Sequence, residues 1–162
     1  MNDRLNHALS TLLRELADGT APDACWILNP GDPGLLASLD RLPASAASAA
    51  PPNGGAPICA HTDHLRYGLS LLNAWARGQT NPFANANYSA SWKIRRVTDH
   101  EWGELRAQLA AEVAEFKQII AGAPEMDETE LTGAIAAVAH LAYHFGAIRQ
   151  IDRSIRGPAA ND

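Results

Sequence analysis

The stretch LTGAIAAVAHLAYHFGAI, residues 131–148, decides how the chain is read. It carries no formal charge and reaches the roughly 18-residue length at which a membrane span must be considered. Its bulk, however, is Ala and Gly. It also holds Thr132, His140 and His144 and runs straight into Arg149, Asp152 and Arg153. Small side chains add little insertion energy and two imidazoles oppose it, so the expectation is a tightly packed helix of a globular protein. Leu131, Ile135, Val138, Leu141, Phe145 and Ile148 recur with helical spacing, and Ile155 extends the series up to Gly157-Pro158. Asp127 and Glu130 stand three apart at its start, the arrangement in which each side chain satisfies the other's unpaired backbone amide.

Working outward, the same period recurs three times. Thr98 and Glu101 open a helix with the stripe Trp102, Leu105, Leu109, Val113, Phe116 and Ile120, followed by Gly122 and Pro124. From about Ala56 to Arg77, Ile58, Leu65, Leu69, Leu72 and Trp75 share one side; Pro57 suits the first turn and Gly78 the end. Near the start, Leu5, Leu9, Leu12, Leu13 and Leu16 form a stripe that Gly19 and Pro22 stop. Four long amphipathic helices without strand alternation predict an all-α four-helix bundle, a single domain over residues 1–162. Two connections are long. Residues 20–55 hold Pro, Gly and Ala/Ser clusters and only a short helical candidate from Gly34 to Leu42, and so length of this kind implies packing or function. Residues 79–97 are rich in Asn and Ser, but their Phe83, Tyr88 and Trp92 predict that the segment folds back onto the bundle.

Composition bounds the partners. A chain of 162 residues can bury roughly 70% of its unfolded surface, enough for a core without staples. Apolar residues at 46% and charged residues at 19% mark a globular chain. A net charge of −5 and the lack of a basic run argue against nucleic acid or an anionic membrane as partner. Two cysteines, Cys25 and Cys59, make no disulfide framework, and the opening Met-Asn-Asp-Arg-Leu lacks the features of a signal peptide. A cytoplasmic protein acting on a small molecule is expected.

Four of the six histidines carry the functional signal. His140 and His144 are spaced i, i+4 and lie one turn apart on one helix face. With Val138 at zero, they fall at roughly −160° and −120°, bordering an apolar arc from roughly +60° to −100°. Gly133, Ala136, Ala137 and Ala147 leave space beside them. On the second long helix His61 and His64 are spaced i, i+3, and His64 falls among Gly68, Leu71 and Trp75 inside the apolar arc. Inward histidines from two helices can converge on one cation. Neutral imidazole suits Zn, Ni, Fe or Cu, and three protein ligands leave a position open to water or substrate. His7 and His100 read as surface residues.

Other groups offer alternatives. Cys59 is a further ligand or a buried inert thiol. Asp63 and Asp152 either orient imidazoles or sit on exposed faces. Tyr67, Tyr143 and Trp75 read as core or pocket wall, and Arg66 and Arg149 as solvated side chains or receivers of a substrate carboxylate. Phosphate loops, dinucleotide glycine patterns, nucleophile elbows and paired-cysteine zinc motifs are absent from the sequence.

The segments Ile58-Cys-Ala-His61-Thr-Asp-His64-Leu-Arg-Tyr and His140-Leu-Ala-Tyr-His144-Phe-Gly-Ala-Ile148-Arg resemble the DinB/YfiT-like superfamily of metal-binding four-helix bundles. The resemblance implies His64 as the second-helix ligand and His140 and His144 as the later pair. His61, one turn earlier, is a second candidate or a group that orients a ligand. Many members carry a glutamine shortly after the last histidine; Ala147 stands there in this chain. The resemblance further implies a divalent transition metal, Zn or Ni first, and a low-molecular-weight thiol as cofactor. The expected function is then a metal-dependent enzyme, a thiol-dependent S-transferase or isomerase or a hydrolase. The alternative is a non-catalytic metal-binding module, or a homodimer joined through exposed bundle faces.

Overall fold

Thr98 and Asp127 both cap helices, as their spacing to Glu101 and Glu130 predicts. Asp127 accepts the Glu130 amide at 2.8 Å while the Glu130 carboxylate accepts the Asp127 amide at 2.8 Å. The computed structural model describes residues 2–21, 24–52, 54–123 and 125–159; Pro22 and Pro124, expected as helix stops, lie outside them. Among the described residues there are six α-helices and no strand. They are α1 (Asn2–Asp18), α2 (Gly34–Asp40), α3 (Ala44–Ala47), α4 (Ile58–Ala76), α5 (Asp99–Gly122) and α6 (Glu128–Ile151).

The four long helices pack as a closed ring in which α1 and α4 each touch both α5 and α6. The α5 stripe from Trp102 to Ile120 is buried as its period predicts. The face of α6 is turned slightly from the expected one. Ile135 is 52% exposed, and Ala134 takes the inward position in series with Val138, Leu141, Phe145 and Ile148. By length and composition α6 is apolar enough to cross a membrane; in this fold its buried face meets α1 and α4. The helix also ends sooner than expected, at Ile151. There the Asp152 carboxylate accepts the Ser154 amide at 2.8 Å, and a short 3-10 turn carries Ile155 back into the core.

The first long connection is part of the core. Leu35, Leu39, Leu42, Ala44 and Ala47 are buried, and the Trp102 indole donates to the Leu42 carbonyl at 2.8 Å. Gly19 and Gly34 meet back to back with φ of 101° and 75°. A Cβ on Gly19 would stand 2.3 Å from the Asp32 carbonyl oxygen, so the α1–α2 turn requires glycine on both grounds. Buried Glu15 of α1 accepts the amides of Trp26, Ile27 and Leu28. Asp32, 4% exposed, accepts the Gly34 amide at 2.9 Å and an Arg149 N–H at 2.7 Å. The connection is thereby tied to the last turns of α6. Removing one partner of a buried ion pair strands the other and costs about 3–5 kcal/mol. Asp32→Ala is therefore expected to lower unfolding free energy by about that amount in denaturant titrations; a loss under about 1 kcal/mol would show the pair to be idle.

Candidate metal centre

His61 and His64 sit on α4 and His140 and His144 on α6, two helices in contact, and a Cβ on Gly68 of α4 would stand 3.8 Å from the His140 ring. His64 Nε2 stands 3.1 Å from His140 Nε2, and His140 Nε2 stands 2.9 Å from His144 Nε2. One ligand nitrogen from each of these three residues lies within 4.8 Å of the others. His61 approaches the cluster differently: its Nδ1 is 2.9 Å from Nδ1 of His144, on the side of that ring away from Nε2. His144 is 4% exposed and the other three are half-buried.

Burial shapes the chemistry of the cluster. Desolvation pushes all four imidazoles below their ordinary value, and the His140, His61 and His64 charges add to it at His144, which falls to about 3. All four are therefore neutral near pH 7, each with one bare nitrogen. Hydrogen bonds alone cannot satisfy this arrangement. A ring nitrogen carries either a proton or a lone pair along one direction, yet His140 Nε2 faces two partners at once. A cation that accepts three lone pairs satisfies all three nitrogens together, so the donor set fits a divalent transition metal. The three histidines could hold such an ion. The second nitrogen of His64, Nδ1, is buried and has no hydrogen-bond partner among the described residues.

The second long connection covers the cluster, as its aromatics predict. Its 3-10 turn, Ser91–Lys93, sets the Trp92 ring 4.5 Å from His64 at an interplanar angle of 30° and 5.2 Å edge-on to His61. Tyr88 meets His64 at 5.9 Å and Phe83 meets Trp75 at 6.3 Å. A cavity of about 490 Å³ opens beside His64 and His140 and is walled by Leu72, Phe83, Tyr88, Gly133 and Ala137. Among the described residues, no Asp, Glu, Lys or Arg lines it. A larger cavity, about 840 Å³, lies between α3 and residues 95–99 and contains none of the histidines.

Several alternatives left by the sequence resolve differently. Asp63 orients no imidazole. It points about one-quarter turn from His64, where its carboxylate accepts Arg66 N–H groups at 2.8 and 3.0 Å and the Ser91 hydroxyl at 2.6 Å. It thus docks the Trp92 turn onto α4. Asp152 caps the turn after α6. Arg66 is paired with Asp63; Arg149 is paired with Asp32 and stacks 3.8 Å over Phe145, so neither is a free receiver of a substrate carboxylate. Tyr67 lends its hydroxyl oxygen to the Asn87 amide at 3.0 Å, which anchors the covering loop. Tyr143 is 71% exposed with its ring edge-on to His144 at 5.0 Å. Cys59 is fully buried and burial pushes its thiol up, as befits an inert core group. Trp92 is the site residue that the periodicity of the sequence left unplaced, and an aromatic in a connection beside inward histidines was its only signal.

Comparison with family models matches residues 34–148 to the DinB superfamily. Neither the curated proteins nor the solved structures supply a match.

The depressed imidazoles make a pH dependence of definite sign. The unfolded metal-free chain binds protons below about pH 6.5 that folded His144 refuses until about 3, so this contribution is complete above the upper value and is lost as pH falls between them. Urea unfolding of chelator-treated protein from pH 6 to 5 is expected to lose stability with a slope that His144→Leu reduces by up to about 1.4 kcal/mol per pH unit. An unaltered slope in that variant would contradict the buried neutral imidazole.

Proposed function

The chain belongs to the DinB superfamily, and from that premise we propose that it is a single-domain four-helix bundle holding one divalent transition metal, Zn or Ni, on His64, His140 and His144. The carrying observation is the meeting of three neutral ring nitrogens from α4 and α6 at spacings of 2.9 and 3.1 Å. Three protein ligands are the count of a catalytic rather than a closed structural site. When bound, such an ion would lower the pKa of a coordinated water to about 7 or hold a thiol as its thiolate.

On this reading the protein is a small-molecule enzyme, a thiol-dependent S-transferase or isomerase or a hydrolase. The cavity beside His64 and His140 supports it: the walls give a place for an uncharged part of a substrate within reach of the metal position. Trp92 and Tyr88 pack against the His64 ring, and Asp63 and Tyr67 keep the covering segment in place. Among the described residues the lining holds no carboxylate or ammonium, so the part of these residues is to bind, orient and desolvate. The acidic net charge and two unpaired cysteines support a cytoplasmic setting and a small-molecule partner.

Purified protein is expected to carry about one transition-metal ion per chain. His64→Ala, His140→Ala and His144→Ala should each remove most of it while the helical circular dichroism persists. Metal content equal to wild type in all three variants would overturn the assignment.

A further inference from the structure

His61 stands outside the trio and yet against it. Its Nδ1 lies 2.9 Å from Nδ1 of His144, while His144 turns Nε2 toward His140. The two nitrogens of one imidazole point to opposite sides of the ring, so a group that meets Nδ1 of His144 does not share an ion held at its Nε2. A neutral His144 has one proton to place. With that proton on Nδ1, Nε2 keeps its lone pair for the metal; with it on Nε2, the ligand is lost.

Resting on the metal centre proposed above, we infer that His61 is a positioning residue: its bare Nδ1 accepts the N–H of His144 Nδ1 and locks His144 in the tautomer that presents Nε2 to the ion. His61 then carries its own proton on Nε2. A carboxylate or a backbone carbonyl usually fills this role behind a metal-binding histidine. Among the described residues neither does so, and the neighbouring carboxylate, Asp63, is committed to Arg66 and Ser91. Trp92, edge-on to His61 at 5.2 Å and 77°, holds the accepting ring in place. The dyad also explains why α4 carries two histidines one turn apart: His64 supplies a ligand, and His61 directs a ligand of the facing helix.

Chelator competition with Zn and the absorption spectrum of the Co(II)-loaded protein test this. Wild type is expected to bind one ion, and His61→Ala to bind it about 10- to 100-fold more weakly with an unchanged Co(II) band envelope, because all three nitrogen ligands stay. His61→Asn should recover most of the affinity, as its Oδ1 occupies the place of Nδ1; His61→Gln, whose oxygen reaches the place of Nε2, should not. In ¹⁵N spectra of the Zn-loaded wild type, His144 should be protonated at Nδ1. Equal affinity in wild type and His61→Ala overturns the inference and leaves the metal centre standing, as does a Co(II) spectrum that loses an imidazole, which would make His61 a ligand. A wild type that takes up no ion overturns both. Should His61→Ala fail to fold, the Asn and Gln pair decides: equal affinities in the two contradict the dyad.

Discussion

Across the seam between α4 and α6, the ring nitrogens of His64 and His140 come within 3.1 Å, and the rest of the site exists only because the fold holds that approach. Bringing imidazoles together away from water disfavours their charged forms and leaves lone pairs facing one another. Little in the cluster offsets this: among the described residues no carboxylate hydrogen-bonds the rings, and the Asp63 charge, spent on Arg66 and Ser91, only partly opposes the desolvation of His64. The offset comes from elsewhere. Val138, Leu141, Phe145 and Ile148 on one side and Ile58, Leu65 and Leu69 on the other are buried on the same two helices. Each fully buried side chain of this kind contributes about 1.5–3 kcal/mol, so the core can carry a polar site that is unfavourable by itself until a cation arrives.

The connections explain how so small a chain keeps the seam in register. Leu35, Leu39 and Leu42 extend the core from the first connection, and Asp32 reaches Arg149, beyond the last histidine on α6. On the opposite flank, Asp63 and Ser91 dock the turn that places Trp92 over His64 and His61. One connection therefore braces the end of α6 and the other shields the histidines. Both hold polar pairs that stay weak in water and gain when buried.

Much of this was legible in the sequence because it is local. Capping boxes at Thr98 and Asp127, the Trp102-to-Ile120 stripe and the i, i+4 histidine pair each follow from spacing along one helix. What failed to show is non-local or ambiguous. Alanine is so frequent in α6 that its apolar face has no sharp direction, and Ala134 rather than Ile135 turns inward. Asp32 and Arg149 are 117 positions apart, and no periodicity announces such a pair. The place of Trp92 depends on how an irregular segment turns, which composition leaves open. His61 was recognisable as a histidine near the site, but which nitrogen of His144 it faces is a matter of ring orientation.

X-ray absorption at the metal edge of the Zn-loaded protein probes the common cation most directly. Three imidazole nitrogens at about 2.0–2.1 Å with one light oxygen scatterer, at one ion per chain, is the result expected. A first shell of oxygens alone, without the outer-ring scattering of imidazole, would contradict the meeting of His64, His140 and His144 on one ion.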